Sequence, residues 1–432
     1  MNLYHVVRPI ASVVFRIYFK KISHIGSEKI PQGKPLIFSC NHPTGFFEPC
    51  MLACLNWDVE YHFITRGDMF EKPWVRRIFE SLNMVPIFRF KDGFSNLKSN
   101  FATMEYIYKA LAEKKSILIF SEGGTKTVKR LRPIQKGMAR MAFGNYEAFG
   151  DLDLHLVPVC FTYTDPHRFR TELMIQFGEP IPLSRYYETY NQNNNKAVNQ
   201  LTLDVQNAMR PLLVEIEKPD NDEVTEQFFT LYRNTYPEPV FPIQRESKRR
   251  LMAHQEIADN VNRMDDNSLE TLKDQTTAYF SKLAEKGIDD MAVAQPWHTN
   301  TKSLIVLVLG FIPFLIGWGA HYVAGWFATK IKNEKVPYLE FKGPVMAVVA
   351  MGFLLVQYIV LIVIAFIINK WSVYGFMLLL PFLGYYSLIY KELWQKYKAC
   401  SHLNALDKTY SQQGQLIASL RNEREELLKR VR

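Results

Sequence analysis

Three long uncharged runs near the C-terminus most constrain what this chain can fold into. They cover Ser303–Phe327, Gly343–Ile368 and Trp371–Tyr390, which are 25, 26 and 20 residues long. A helix needs about 20 apolar residues to cross a bilayer, so each run is long enough. Buried core helices are the alternative, but three such runs in succession are not typical of a soluble fold. The sequence therefore predicts an integral membrane protein.

Two lysine clusters flank these runs, and the positive-inside rule places both in the cytoplasm. They are Lys330, Lys332, Lys335 and Lys342 after the first run, and Lys391, Lys396 and Lys398 after the third. Three full crossings would put the clusters on opposite faces. Helix-breaking residues in the first run favour a re-entrant segment over 303–327; they are Gly310, Pro313, Gly317 and Gly319. We therefore expect two spans, 343–368 and 371–390, turning near Asn369 and Lys370, with three spans as the alternative.

The N-terminal stretch, residues 1–21, predicts an amphipathic helix on a membrane surface. Its apolar residues recur at helical spacing beside Arg8, Arg16, Lys20 and Lys21, although an ordinary packing helix has the same pattern. A secretory signal is not expected, because no small-residue cleavage site follows. The five cysteines are an odd number without disulfide-like spacing, which fits a reducing cytoplasm. We expect a catalytic domain on the cytoplasmic face, in a bacterial inner membrane.

Residues 22 to about 185 alternate strand-like and helix-like patterns, which predicts an α/β domain over residues 22–215 with a mixed sheet flanked by helices. The predicted strands are Leu36–Ser39, Tyr61–Thr65, Met84–Phe90, Ile117–Phe120 and Leu156–Tyr163. The predicted helices between them include Asn96–Glu113 and Gln135–Phe149. Sheets of this kind bind ligands at the carboxyl ends of strands, so the residues after each strand are the informative ones.

Asn41–Pro49 follows the first of these strands and contains His42 and Glu48. An imidazole can take a proton from a hydroxyl, and a nearby carboxylate can fix its tautomer and stabilise the imidazolium. Taken alone the pattern is weak, since His42 could equally be a cap or turn residue.

A glycine-rich turn, Ser121–Lys126, follows the fourth strand and opens a run that carries six cations. The cations are Lys126, Lys129, Arg130, Arg132, Lys136 and Arg140. They suit a phosphate or another anion, and a solvated basic face or a lipid-headgroup contact is the alternative. The turn lacks the spacing of a Walker loop.

Four segments appear in a fixed order: Asn41–Glu48, Val85–Arg89, Phe120–Gly124 and Val157–Val159. Their order and spacing resemble the motif blocks of the glycerolipid acyltransferase superfamily, which includes glycerol-3-phosphate and lysophosphatidate acyltransferases. The resemblance covers about residues 20–185. It implies acyl transfer from acyl-CoA or acyl carrier protein to a hydroxyl of a phosphorylated glycerol, with no further cofactor and no metal.

The resemblance also implies roles for individual residues. His42 matches the general base and Glu48 its carboxylate partner, while Arg89 matches the arginine that binds the acceptor phosphate. Further substrate-binding positions are Glu122, Gly123, Gly124, Lys126 and Pro158. Besides both substrates, the expected partners are membrane lipids, and no nucleic acid is expected.

The catalytic pair departs from the usual pattern, because five residues rather than four separate His42 from Glu48. Members with C-terminal membrane segments, which resemble glycerol-3-phosphate and dihydroxyacetone-phosphate acyltransferases, have a similar wider spacing. We therefore expect an sn-1 acceptor, and lysophosphatidate is the alternative. A non-phosphate lysolipid acceptor, a non-enzymatic scaffold, a backbone carbonyl that orients His42, and an acyl-enzyme on Cys40 or Cys50 also stay open.

The remaining segments are less informative. Residues 216–302 predict a helical connecting region that follows the α/β domain and precedes the membrane helices of 303–390. The tail, 391–432, is charged and helical. A short heptad pattern in it, interrupted by Arg424, predicts at most weak self-association.

Overall fold

The computed structural model describes residues 2–88, 100–295, 299, 301–410 and 415–431. The strands in these residues are β1 (Lys21–Ile25), β2 (Leu36–Cys40), β3 (Tyr61–Arg66), β4 (Met84–Ile87), β5 (Ser116–Phe120), β6 (His155–Tyr163), β7 (Glu172–Phe177), β8 (Ile181–Pro182) and β9 (Gln244–Glu246). The helices up to residue 209 are α1 (Leu3–Tyr18), α2 (Phe47–Leu55), α3 (Pro73–Glu80), α4 (Asn100–Ala112), α5 (Gly137–Phe149), α6 (Tyr187–Gln192) and α7 (Asn194–Met209). The later helices are α8 (Asp222–Thr235), α9 (Arg249–Arg263), α10 (Asp266–Glu285), α11 (Asp290–Ala294), α12 (Thr301–Lys335), α13 (Leu339–Ile368), α14 (Trp371–Tyr410) and α15 (Gln415–Arg430).

These elements form two units. The first unit comprises Met1–Glu215, Val240–Met252 and Tyr338–Pro344. The second comprises Ile216–Pro239, Ala253–Pro337 and Val345–Arg432. The first therefore contains the whole sheet, whereas the described part of the second is helical.

The sheet of the first unit is mixed. Its strand order is β4-β3-β5-β2-β6-β7-β1-β9, and β8 pairs with β6. The central strand β2 runs parallel to both β5 and β6, whereas β6 runs antiparallel to β7. The carboxyl ends of β2, β5 and β6 therefore meet at one edge of the sheet. A mixed sheet with flanking helices, followed by helices that include three long apolar ones, confirms the predicted fold class.

Helices cover both faces of the sheet, which is why all five residues of β2 are buried. On one face Ile37 belongs to a core with Ile107 of α4, Met138 of α5 and Leu201 of α7. The opposite face lies against α1, where the ring of Tyr4 stands 6.2 Å from that of Phe63 in β3. Side chains of successive strand residues point to opposite faces, so one strand serves both cores.

Three helices, α12, α13 and α14, are long and apolar enough to cross a membrane, judged by length and composition. The expected break in the first uncharged run is wrong, since α12 continues without interruption from Thr301 to Lys335. Gly310 and Gly317 serve close packing instead, whereas Gly319 has open space where its Cβ would be. A Cβ on Gly317 would overlap the carbonyl oxygen of Leu383 in α14. Small residues of this kind let two membrane helices approach closely.

In the membrane region α12 packs closely against α14. Tyr390 donates to the carbonyl of Leu307 at 2.7 Å, and further along α12 Gly317 lies against Leu383, so the two helices run antiparallel. The predicted turn at Asn369 and Lys370 is present between α13 and α14. How many helices cross stays a prediction.

The C-terminal helix α15 has its partners within the chain. Arg424, the residue that interrupts the heptad, is buried and pairs with Asp290 at 2.8 Å. Tyr279 donates to the same carboxylate at 2.7 Å. The buried leucines Leu420 and Leu427 lie on the same helix, so the face expected to self-associate is occupied by the second unit's own helices.

Candidate active site

The turn between β2 and α2, residues 41–46, forms the centre of the candidate site and is called the His42 turn below. It begins at the carboxyl end of the central strand, and Glu48 lies in the first turn of α2. The Nδ1 atom of His42 stands 3.0 Å from Oε2 of Glu48. The wider spacing is therefore accommodated, because the start of the helix returns the carboxylate to the ring. A helix N-terminus also favours a negative charge.

Glu48 is fully buried, and three further donors hold its second oxygen. Oε1 accepts the backbone N–H of Thr44 at 3.1 Å and the Thr44 hydroxyl at 2.8 Å. It also accepts the hydroxyl of Tyr163, at the end of β6, at 2.9 Å. Burial and the neighbouring carboxylate raise the pKa of Tyr163 well above its usual range, so the phenol remains a donor. These contacts fix Glu48 in one orientation toward His42.

The imidazole of His42 is held from the opposite side by β5. It stacks on the ring of Phe120 with centroids 3.7 Å apart and planes 12° from parallel. Its side chain is 12% exposed, so solvent or a substrate can reach it. With Nδ1 donating to Glu48, Nε2 is the nitrogen that faces away from the carboxylate. That geometry suits a general base.

Glu122 lies behind the histidine and joins three segments. Its Oε2 accepts the backbone N–H of His42 at 3.0 Å and pairs with Nη2 of Arg132 at 2.8 Å. Its Oε1 accepts the backbone N–H of Arg132 at 3.0 Å. The Glu122 side chain is only 3% exposed. In this structure Glu122 joins the His42 turn to the loop that carries Arg132. Its predicted contact with substrate stays a prediction.

The glycine-rich turn and its first cation adjoin the histidine. Gly123 has a φ of +70°, a conformation that favours glycine. Gly124 offers its carbonyl to the guanidinium of Arg132. The backbone N–H of Lys126 donates to the carbonyl of His42 at 3.1 Å, and the Lys126 side chain is exposed. The backbone of the glycine-rich turn is thus joined to the His42 turn.

One predicted site residue, Pro158, is not brought to this edge of the sheet. Arg89 lies outside the described residues. Pro158 lies within β6, opposite Ser39 of β2, and its carbonyl accepts the N–H of Gly178 at 2.8 Å. Its place is in the interior of the sheet, and a role in substrate binding stays a prediction.

The cysteines near the site are poor nucleophiles. Burial raises the pKa of the Cys50 thiol to about 12 and that of Cys40 well above its usual range. The reactive thiolate is therefore scarce at neutral pH. Within the described part of the chain, no group of three or more His, Cys, Asp and Glu is arranged to hold a metal ion.

Sequence reasoning missed three residues that build the site. Thr44 and Tyr163 hold Glu48, and Asn41 ties the His42 turn to β6. The Asn41 amide donates to the carbonyl of Phe161 at 3.0 Å and accepts its N–H at 2.8 Å. One sequence signal could have identified Tyr163, namely its place at the carboxyl end of a strand beside β2.

A family model named Acyltransferase matches residues 21–162. Glycerol-3-phosphate O-acyltransferase 1 of Saccharomyces cerevisiae is 25% identical over 204 residues, which are 46% of this chain and 26% of that protein. Glycerol-3-phosphate O-acyltransferase 2 of the same yeast is 26% identical over 222 residues, which are 50% of this chain and 29% of that protein. The chain thus spans under a third of the length of these relatives.

Among solved structures, a 1-acyl-sn-glycerophosphate acyltransferase from Thermotoga maritima aligns at 15% identity with a TM-score of 0.34. The alignment covers 47% of this chain and 78% of that one. At that score the likeness bears on neither fold nor function. The family model matches the segment that holds the His42–Glu48 pair and the glycine-rich turn. Residues 21–162 are therefore similar to the Acyltransferase family, and the two yeast proteins are similar to this chain over about half of its length.

Proposed function

We propose that this chain is a membrane-bound acyltransferase that moves a fatty acyl group from acyl-CoA or acyl carrier protein to the hydroxyl of glycerol-3-phosphate or dihydroxyacetone phosphate. The observation that carries the proposal is the His42–Glu48 pair, 3.0 Å apart at the carboxyl edge of the sheet. A buried carboxylate held by Thr44 and Tyr163 orients the ring, and this arrangement suits removal of a proton from a hydroxyl.

The reaction follows from this arrangement. Nε2 of His42 takes the proton of the acceptor hydroxyl, and the oxygen attacks the thioester carbonyl. Glu48 stabilises the imidazolium, and backbone N–H groups of the glycine-rich turn donate to the oxyanion. Collapse of the intermediate breaks the C–S bond, and the imidazolium returns its proton to the leaving thiolate. The new ester and the free thiol balance the reaction, and no acyl-enzyme is needed.

The acceptor class rests on charge and on the relatives. Lys126 is exposed, and its backbone N–H bonds to the carbonyl of His42, so a basic residue adjoins the proposed base and suits an acceptor that carries a phosphate. Both Saccharomyces relatives are named glycerol-3-phosphate O-acyltransferases. We carry that acceptor over to this chain.

A membrane location fits the surface of the first unit as well as the long helices. Val13 on α1 is 59% exposed, and Val6, Val7, Ile10 and Ile17 add to the same apolar stripe. Trp74 on α3 is 63% exposed beside the exposed Arg76 and Arg77. Apolar side chains flanked by cations suit the surface of an anionic bilayer. We place the first unit on the cytoplasmic face. The relatives are from yeasts, so the bacterial inner membrane finds no support.

The test is an acceptor panel with the purified full chain in lipid vesicles. Glycerol-3-phosphate, dihydroxyacetone phosphate and lysophosphatidate are each offered with acyl-CoA and with acyl carrier protein. We expect ester product with glycerol-3-phosphate or dihydroxyacetone phosphate, and background product from His42→Ala. His402→Ala, which changes a histidine of the second unit, is the matched control and should behave as wild type. Product with lysophosphatidate alone would replace the acceptor, and product with none would defeat the proposal.

A further inference from the structure

The start of α13 has contacts that the proposed reaction does not yet use. Tyr338–Pro344 belongs to the first unit, although α13 itself continues to Ile368. The segment is therefore part of the unit that holds the candidate site, and it leads directly into one of the three helices long and apolar enough to cross a membrane.

The 338–344 segment contacts the His42 turn at Gly45. The N–H of Gly45 donates to the carbonyl of Glu340 at 2.9 Å. The ring of Phe341 lies against the same glycine, and a Cβ at position 45 would stand 2.5 Å from its Cδ1 atom. Gly45 thus contacts the segment in two ways: its N–H bonds to Glu340, and its lack of a side chain leaves room for the Phe341 ring.

A second set of contacts fixes the same segment beside α1 and the loop after β6. A Cβ on Gly343 would overlap the carbonyl oxygen of Pro166 and would stand 2.9 Å from the hydroxyl of Tyr18. The ring of Tyr18 lies 4.9 Å from that of Phe47, the first residue of α2. The segment therefore contacts the rest of the first unit at Gly343 as well as at Phe341.

These contacts reach the catalytic pair through consecutive amides. The N–H of Thr44 holds Oε1 of Glu48, and the next N–H along the chain, that of Gly45, is held by Glu340. Loss of the hydrogen bond to the Gly45 N–H would free the turn that positions the Thr44 N–H. A displacement of about 1 Å in a catalytic group can lower a rate about 100-fold.

We propose that residues 340–343 are a positioning element of the His42 turn, so that acyl transfer depends on the seating of the membrane helix α13 at its first turn. This inference rests on the proposed function for its effect on rate. Phe341 and the carbonyl of Glu340 act through the turn and touch neither substrate nor the reacting atoms.

Phe341→Ala is the primary variant, and Tyr338→Ala is its matched control. Both remove an aromatic ring from the same helix start, but Tyr338 is 69% exposed. We expect kcat of Phe341→Ala to fall about 10- to 100-fold with the KM for acyl donor unchanged, and Tyr338→Ala to stay within about twofold of wild type. Equal kcat for Phe341→Ala and wild type would overturn the proposal.

Gly45→Ala adds a second test of the same contact. Its Cβ meets the Phe341 ring, so the double variant Gly45→Ala with Phe341→Ala removes both the clash and the ring. We expect the two losses to be non-additive, with the double variant no slower than the slower single variant. Losses that multiply would show that the two residues act independently and would contradict the proposal.

Hydrogen exchange separates this inference from the proposed function. In the full chain in nanodiscs, Phe341→Ala should speed exchange of the amides of residues 44–47, and Tyr338→Ala should leave them as in wild type. Unchanged exchange in Phe341→Ala would overturn the docking, whichever acceptor the enzyme uses. Faster exchange combined with no product from any glycerol phosphate would keep the docking and remove the proposed function instead.

Discussion

Glu48 is a buried carboxylate whose surroundings explain how the catalytic pair tolerates its spacing. Thr44 supplies two donors, Tyr163 supplies one, and His42 completes the set on the other oxygen. A buried charge is stable only when it is paired and hydrogen-bonded, and this one has such partners. The carboxylate therefore holds the ring, and the backbone-carbonyl alternative is not needed to orient His42.

Tyr163→Phe tests this arrangement by removal of one hydroxyl. A hydrogen bond to a charged group contributes about 1.5–3 kcal/mol, so we expect kcat to fall about 10- to 100-fold with the KM values unchanged. Steady-state kinetics on vesicles measure the effect. Tyr187→Phe, whose hydroxyl bonds the exposed Asp151, is the control and should retain wild-type kinetics. A wild-type rate for Tyr163→Phe would show that Glu48 does not need the third donor.

Cys50→Ala distinguishes direct transfer from an acyl-enzyme. Because the Cys50 pKa is raised to about 12, its thiolate fraction at pH 8 is about one in ten thousand. We expect the variant to keep the wild-type rate within about twofold. The wild-type pH–rate profile should also show no rise between pH 7 and 9 from a thiol, since thiolate accumulates only near pH 12. Loss of product in Cys50→Ala, with the protein still folded, would revive the covalent route.

At the scale of elements, apolar strands were predictable, and strands that contain charged or polar residues were not. Patterns such as Leu36–Ser39 are apolar enough to indicate a strand, and β2 follows them within a residue. β1 and β7 were missed, because Lys21 and His24 in one and Glu172 in the other interrupt the alternation. Their partners are distant, as in the pairing of Glu172 with Lys21. Local pattern does not reveal contacts of that range.

The glycines of α12 show a second limit of local pattern. Glycine in an apolar run can mark either a helix break or a close contact between helices, and in α12 Gly317 marks a contact with α14. Gly317 admits the Leu383 backbone, whereas Gly325 has open space where its Cβ would be. Glycine thus lies at a packed contact at one position of α12 and at an open surface at another.

Gly317→Ala and Gly325→Ala form a matched pair. The first inserts a methyl group into a packed contact, so we expect a loss of about 1–3 kcal/mol in the free energy of unfolding. The second should be neutral or stabilise the helix by up to about 1 kcal/mol. Denaturant unfolding in detergent micelles compares them. Equal stabilities for the two variants would contradict the α12–α14 contact.

At the scale of the whole molecule, the net charge of +9 and the uncharged runs belong to different parts of the chain. The fold class, the membrane helices and the catalytic pair followed from local pattern and motif order. The set of segments that form the first unit did not follow from local pattern, because Val240–Met252 and Tyr338–Pro344 join it from far along the chain. Arg250 with Glu172, 2.9 Å apart, is one contact that attaches the first of these segments.

The central claim is that His42 is the base of a glycerol phosphate acyltransferase. The most direct measurement is kcat for acyl transfer from acyl-CoA to glycerol-3-phosphate by the purified full chain and by His42→Ala in the same vesicles. General-base catalysis contributes about 10²- to 10⁴-fold, so we predict a loss of that size with membrane insertion intact. Turnover by His42→Ala at near the wild-type rate would contradict the account.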